Sequence, residues 1–291
     1  MLTRQLENAR MAYLTRPGQP RLYYDVADYT DPWKNAPAIL LQHGYARSSR
    51  FWNAWVPYLS RFYRVVRMDW RGLGQSGTDF DPRTGITFPA YLQDYRDLLD
   101  HLKIDSIHYC GESSAGTLGM IFAAECPERV RTLTVISSPV SMTEADKKSA
   151  LPGFASRQEM LRKLGSRGWL EASNAGRRYP ADADPAMLEW TVDEMAKSDV
   201  EVLIAMFDLV SNADAAPYLP KIRAPTLAIY PRGGVITSNE HLELLHENVA
   251  NIQIVRIDTA SHSVNFTSPA TCAREVLHFI SRHDGIPCHE P

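Results

Sequence analysis

The chain has 291 residues, 44% of them hydrophobic and 22% charged, with a formal net charge of −3. That size and balance suit one globular domain with a large core, and the near-neutral charge leaves no basic field to draw nucleic acid or an anionic membrane. No stretch approaches the roughly 20 apolar residues of a membrane helix.

Residues 1–16 carry Arg4, Glu7, Arg10 and Arg16 and lack the apolar centre of a secretory leader. Leu22–Tyr29 then reads as an antiparallel edge strand. Short β-branched or apolar runs follow at Ala38–Gln42, Tyr63–Met68, Ile107–Cys110, Leu133–Ile136, Thr226–Tyr230 and Ile252–Ile257. Runs of this length with no polar face are those of a mostly parallel sheet covered on both sides. Segments of helical period lie between them, at Ala90–Leu102, Ala115–Glu125 and Pro269–Ser281. Strand–helix alternation of this kind predicts a doubly wound α/β fold. From Ser141 to Ala215 the alternation stops, and the pattern is helical and broken by glycine and proline. We therefore expect an α/β core over 1–140 and 216–291, with a helical cap, or lid, over 141–215. Such folds bind ligands at the carboxyl ends of the strands, where this lid is expected to sit. Cys110, Cys126, Cys272 and Cys288 lie far apart, without metal-ligand spacing. Reduced thiols and a cytoplasmic location are the expectation, with no metal and no cofactor.

Gly111-Glu112-Ser113-Ser114-Ala115-Gly116 follows one predicted strand and opens one predicted helix. A serine on so sharp a turn is held out beyond the sheet, beside the N–H groups of the helix terminus. The frame selects Ser113 rather than Ser114 as a nucleophile. His43-Gly44-Tyr45 follows another strand, and its loop is placed to give a second N–H to an oxyanion hole. The expected donors are the N–H groups of Tyr45 and Ser114, with His43 structural. His262 follows the last strand and comes after Ser113 in the chain, the order a general base requires; the other histidines precede Ser113, lie on helices or belong to the tail.

These stretches, together with Asp69-Trp70-Arg71-Gly72-Leu73-Gly74-Gln75-Ser76 and Pro127-Glu128-Arg129-Val130, resemble the α/β-hydrolase superfamily. The likeness is to its lidded branch of esterases, lactonases and carbon–carbon bond hydrolases, and it spans roughly 22–280 with the lid left out. It implies an α/β-hydrolase fold and a serine hydrolase. The expected reaction opens a carboxylic ester or lactone of a partly apolar small molecule through an acyl-enzyme. A carbon–carbon bond hydrolase, a cofactor-free lyase or oxygenase, and a non-catalytic ligand-binding relative are the alternatives. The expected partner is a small-molecule substrate rather than nucleic acid or membrane, with a homo-oligomer left open. By the family pattern the aspartate–glycine stretch is a structural turn.

The family's triad acid has no counterpart here. Family spacing places it near Gly234 or near Ser137, and neither position holds a carboxylate. Glu144 or Asp146, reaching back from the lid entrance, Ser137, or a water are the candidates to orient His262, and Glu144 is the named carboxylate. Losing such an acid elsewhere costs roughly 10⁴-fold in rate, which favours substrates with good leaving groups. Arg47 or Arg50 is a candidate clamp for a substrate carboxylate. Trp52, Trp190 and Phe207, with Phe51, Trp169, Tyr179, Met195 and Met206, are candidate pocket residues.

Overall fold

Runs that are apolar on both faces build the middle of the sheet. Ala38–Gln42 (β3), Ile107–Glu112 (β5) and Thr226–Pro231 (β7) are buried at every position. Arg64–Met68 (β4), Val130–Ile136 (β6) and Ile252–Ile257 (β8) complete the parallel part, with β8 only half-buried at one edge. Ala9–Arg16 (β1) and Gln19–Ala27 (β2) add antiparallel strands at the other edge. The eight-stranded order is β1-β2-β4-β3-β5-β6-β7-β8. The computed structural model describes residues 9–148, 153–174, 178–180, 182–233, 236 and 239–288.

The expected edge strand is thus the second strand: β1 covers it. The β5 strand also continues through Gly111 and Glu112, so the sheet delivers its last residue directly to Ser113. Alternate residues of β3 feed two cores. Leu40 packs with Phe88–His101 (α1) and Ser114–Glu125 (α2) on one side. Ile39 and Leu41 pack on the other side, with a 3₁₀ segment at Ser49–Trp55 and with Pro269–Asp284 (α8).

Between β6 and β7 run Glu144–Lys148 (α3), Arg157–Asn174 (α4), Pro185–Met195 (α5) and Val200–Ser211 (α6). Gly165, with φ +69°, breaks α4. Asp184 and Asp199 cap α5 and α6, each accepting backbone N–H bonds of the first turn. The α4 helix packs on both α5 and α6. The segment leaves and rejoins the sheet through a bridge between Ser141 and Asp214 and a bond from Ala215 N–H to Val140 O of 2.9 Å. Asn239–Asn248 (α7) then links β7 to β8. Among the described residues, no helix is long and apolar enough to cross a membrane.

His43, His108, His241 and His262 are buried, and burial holds each below the usual histidine pKa. In the unfolded chain these rings take protons near pH 6.5, whereas the folded chain resists them. Stability is therefore expected to fall as pH drops through about 6.5, because the unfolded state then binds more protons. A series of melting temperatures across that window measures it; a flat profile would contradict the neutral, buried rings.

Candidate active site

The turn at Ser113 has no slack. Its backbone holds φ +55° and ψ −125°, a conformation that costs a non-glycine residue about 1–3 kcal/mol. The surroundings hold it there: Ser113 N–H donates to Ile136 O at 2.8 Å, and Gly116 N–H donates to Ser113 O at 2.9 Å. A Cβ on Gly111 would lie 2.6 Å from Ala115 O, and one on Gly116 would lie 1.8 Å from Ser138 Oγ. Ala115, which stands where the motif has glycine, is fully buried, and its carbonyl accepts from Tyr109 Oη at 2.8 Å.

His262 Nε2 lies 3.1 Å from Ser113 Oγ. For Nε2 to accept the serine proton, the hydrogen of the neutral ring must sit on Nδ1. That N–H meets no acceptor among the described residues, and the buried Ser137 Oγ beyond β6 likewise has no partner. The ring's neighbours in sequence are anchored instead. Ser261 Oγ and Ser263 N–H both donate to Arg178 O, at 3.1 and 3.2 Å, and Arg47 Nη2 donates to Ser263 Oγ at 2.5 Å. Burial pushes the His262 pKa well below its usual value, and the charges of Arg47 and Arg178 add to the effect.

Arg47 also faces Glu112, the residue before the serine, with Nη1 3.0 Å from Oε1 and both side chains almost wholly inaccessible. One guanidinium thus ties the residue before Ser113 to the residue after His262. Glu112 Oε2 accepts from Gly44 N–H at 3.2 Å. Burial raises the Glu112 pKa, while Arg47 and that N–H oppose the shift. Gly44 is needed for this close pass, since a Cβ there would lie 2.7 Å from Glu112 O and 3.1 Å from Ser113 Cβ. His43 fixes the same loop: Nε2 accepts Trp70 N–H at 3.0 Å and Nδ1 donates to Gly44 O at 2.9 Å. Neither the Tyr45 nor the Ser114 N–H is spent on another backbone group among the described residues.

Ser113, Ser114 and His262 open onto a cavity of about 140 Å³, with Tyr45 and Phe207 in its wall. A cavity near 150 Å³ takes a molecule the size of benzene, so the part of a substrate that enters is small.

Residues 37–173 match the family model for the alpha/beta hydrolase fold. The enol-lactonase from Burkholderia xenovorans LB400 has a crystal structure that superposes with a TM-score of 0.82 at 25% identity, covering 93% of this chain and 100% of that one. The chain has the α/β-hydrolase fold and is similar to members of that superfamily. Similar proteins include 3-oxoadipate enol-lactonase 1 of Acinetobacter baylyi, 27% identical over 81% of this chain and 85% of its own length. RutD of Agrobacterium fabrum, to which carbamate hydrolysis is attributed, is 25% identical over 89% of this chain and 98% of its own.

Several expected site residues of this hydrolase lie elsewhere. Glu144 is not brought to His262: its side chain is 76% exposed and meets Lys147 Nζ at 2.7 Å, one turn along α3. Trp52 belongs to the opposite core, edge-on to Trp55 at 4.8 Å, because its place in the 3₁₀ segment points it under α8. Trp190 stacks on Phe266 at 5.5 Å and is not part of the cavity wall. Arg50 meets Glu194 at 2.6 Å. Arg47 and Phe207 do line the cavity. The position near Gly234 lies outside the described residues. Sequence reasoning missed Arg157, Arg178 and His241 as cavity residues, while Asp146, offered there as an acid for His262, does line the cavity. The arginines looked like ordinary charges of a helical segment, and the helical position of His241 concealed that its Nδ1 accepts Val140 N–H at 3.3 Å.

Proposed function

We propose that this hydrolase opens a carboxylic ester or lactone of a small molecule through an acyl-enzyme on Ser113. The 3.1 Å approach of His262 Nε2 to Ser113 Oγ, at a strained turn facing a cavity, carries this reading. Ser113 Oγ attacks the carbonyl carbon as its proton passes to His262 Nε2. The N–H groups of Tyr45 and Ser114 receive the oxyanion. The carbon–oxygen bond to the leaving group then breaks, and the imidazolium returns its proton to that oxygen. Water, deprotonated by the same nitrogen, attacks the acyl carbon and releases the acid and Ser113.

That His262 Nδ1 meets no acceptor among the described residues narrows the substrate. An imidazolium without an anionic partner forms at a cost, so the favoured leaving groups are enols and phenols that depart with little proton donation. The likeness to enol-lactonases supports this, since an enol is such a leaving group.

An aryl ester should be turned over about 10²-fold faster than the matching ethyl ester, reflecting that dependence on the leaving group. An aryl phosphonate should attach to Ser113, read as a mass increment on the peptide that contains it. Turnover that persists in a sample whose Ser113 stays unlabelled would overturn the proposal. The acid limb of kcat/KM for a neutral ester is expected below pH 6.5, because the buried ring stays neutral, and so competent as a base, to lower pH than a free histidine.

A further inference from the structure

One side chain of the cavity wall has no part in the chemistry above, and a backbone bond decides which way its proton faces. His241, in the first turn of α7, lines the cavity with Ser113 and His262 and is only 7% exposed. Val140 N–H, just beyond β6, donates to His241 Nδ1 at 3.3 Å. A ring nitrogen that accepts carries no hydrogen, so in the neutral imidazole the proton sits on Nε2. Burial holds the ring neutral, outweighing the fields of Asp146 and Glu240, which favour charge. A charged ring would also set an Nδ1 hydrogen against the Val140 N–H. The Nε2–H meets no acceptor among the described residues, and Nε2 is not among the fully enclosed polar atoms. The wall thus presents an N–H donor of fixed direction.

The surroundings limit what that donor receives. Thr117 Oγ1, in the same wall, is spent on Pro139 O at 2.6 Å. Met142 and Val210 make neighbouring wall apolar. Asp146 also lines the cavity, and its negative charge acts on the ring, so an anion held against His241 meets repulsion. An uncharged oxygen does not.

We propose that His241 Nε2–H is a specificity-determining donor that selects acyl chains carrying a neutral oxygen acceptor, such as an ether, ketone or amide oxygen. This rests on the acyl-enzyme reading and names its substrate class. The alcohol departs after the first step, whereas the acyl group stays on Ser113 through both. A fixed donor in the wall therefore acts longest on the acyl chain. A plain alkyl chain in the same place displaces water from the N–H and leaves it buried without a partner, and that penalty produces the discrimination. The bond to Val140 keeps the ring from turning to follow a misplaced acceptor, so the preference depends on where along the chain the oxygen lies. A cavity of about 140 Å³ confines the choice to short chains.

The test moves one ether oxygen along the acyl group. The p-nitrophenyl esters of methoxyacetate, 3-methoxypropanoate and 4-methoxybutanoate are each compared with the ester that has CH₂ in place of the ether oxygen: butanoate, pentanoate and hexanoate. Rates are divided by those of hydroxide hydrolysis, which removes the intrinsic effect of the oxygen. At one chain length the ether should be favoured about fivefold or more in kcat/KM. His241→Asn keeps an oxygen for the Val140 N–H but withdraws the donor from the cavity. It should melt close to wild type and bring the ratio to one. His241→Gln loses the bond to Val140 yet reaches as far as Nε2, so it should melt lower and retain part of the preference. A purely structural histidine would give the reverse pattern, with the ratio following the melting temperature. Independently of turnover, imidazole ¹⁵N spectra, assigned by the signal that His241→Asn removes, should show the proton on Nε2, and the amide of the favoured ether acid should shift that nitrogen where the alkyl amide does not. Equal rates within every pair, or a proton on Nδ1, overturns the donor and leaves the acyl-enzyme reading standing. The nitrogen shift without turnover of any ester supports the donor and counts against the acyl-enzyme.

Discussion

Ser113→Ala should lower the turnover of an activated aryl ester by about 10²-fold, much less than the roughly 10⁶-fold seen when a complete triad loses its serine. The difference follows from the arrangement around His262. In a complete triad the acid alone accounts for roughly 10⁴-fold, and the members act as a unit. Here His262 Nδ1 already lacks an acceptor among the described residues, so that share is absent before the serine is touched. Initial rates of the purified variant against wild type, with unchanged melting temperatures, measure the effect. Near-normal turnover would remove Ser113 from the mechanism. A fall approaching 10⁶-fold would mean that His262 is oriented at full strength by another group.

Gly111→Ala is expected to damage fold and catalysis together. The added methyl would lie 2.6 Å from Ala115 O, 2.7 Å from Ala115 C and 2.8 Å from Gly116 N. All three are backbone atoms, so no side chain can turn aside. Overpacking of this kind typically costs about 1–3 kcal/mol. The strain falls on the peptides that fix Ser113 at φ +55°, and a displacement near 1 Å at a reacting atom can cost about 10²-fold in rate. A lowered melting temperature, with slower phosphonate labelling of the fraction that remains folded, is the expected pair of results. Wild-type values of both would show that the turn opens without penalty.

Where burial covers both faces, the sequence was easy to read. Runs such as Ala38–Gln42 and Thr226–Tyr230 have no polar side, and only the inner strands of a covered sheet accept that. Ser113 and His262 were legible because strand-to-helix context and chain order constrain them. By contrast, β1 has no clean alternation, with only Arg10 and Arg16 charged around the run Met11–Leu14, and its strand conformation depends on pairing with β2 at the sheet edge. Trp52 follows Phe51 in the chain yet packs in the opposite core, since direction within a short 3₁₀ turn is set by tertiary packing. Arg157 and Arg178 lie far from Ser113 in sequence and reach it only through the path of the chain between β6 and β7. No local pattern encodes such a meeting.

The carbonyl of Arg178 accepts bonds from the residues on both sides of His262, and Tyr45 Oη donates to Leu203 O of α6 at 2.9 Å. Specificity engineering that exchanges the β6–β7 segment for that of a related enzyme would therefore disturb the base as well as the pocket. A chimera made this way needs a carbonyl restored at the same point before its new selectivity can be judged, and a minimal enzyme made by deleting the segment should lose rate against even the smallest esters.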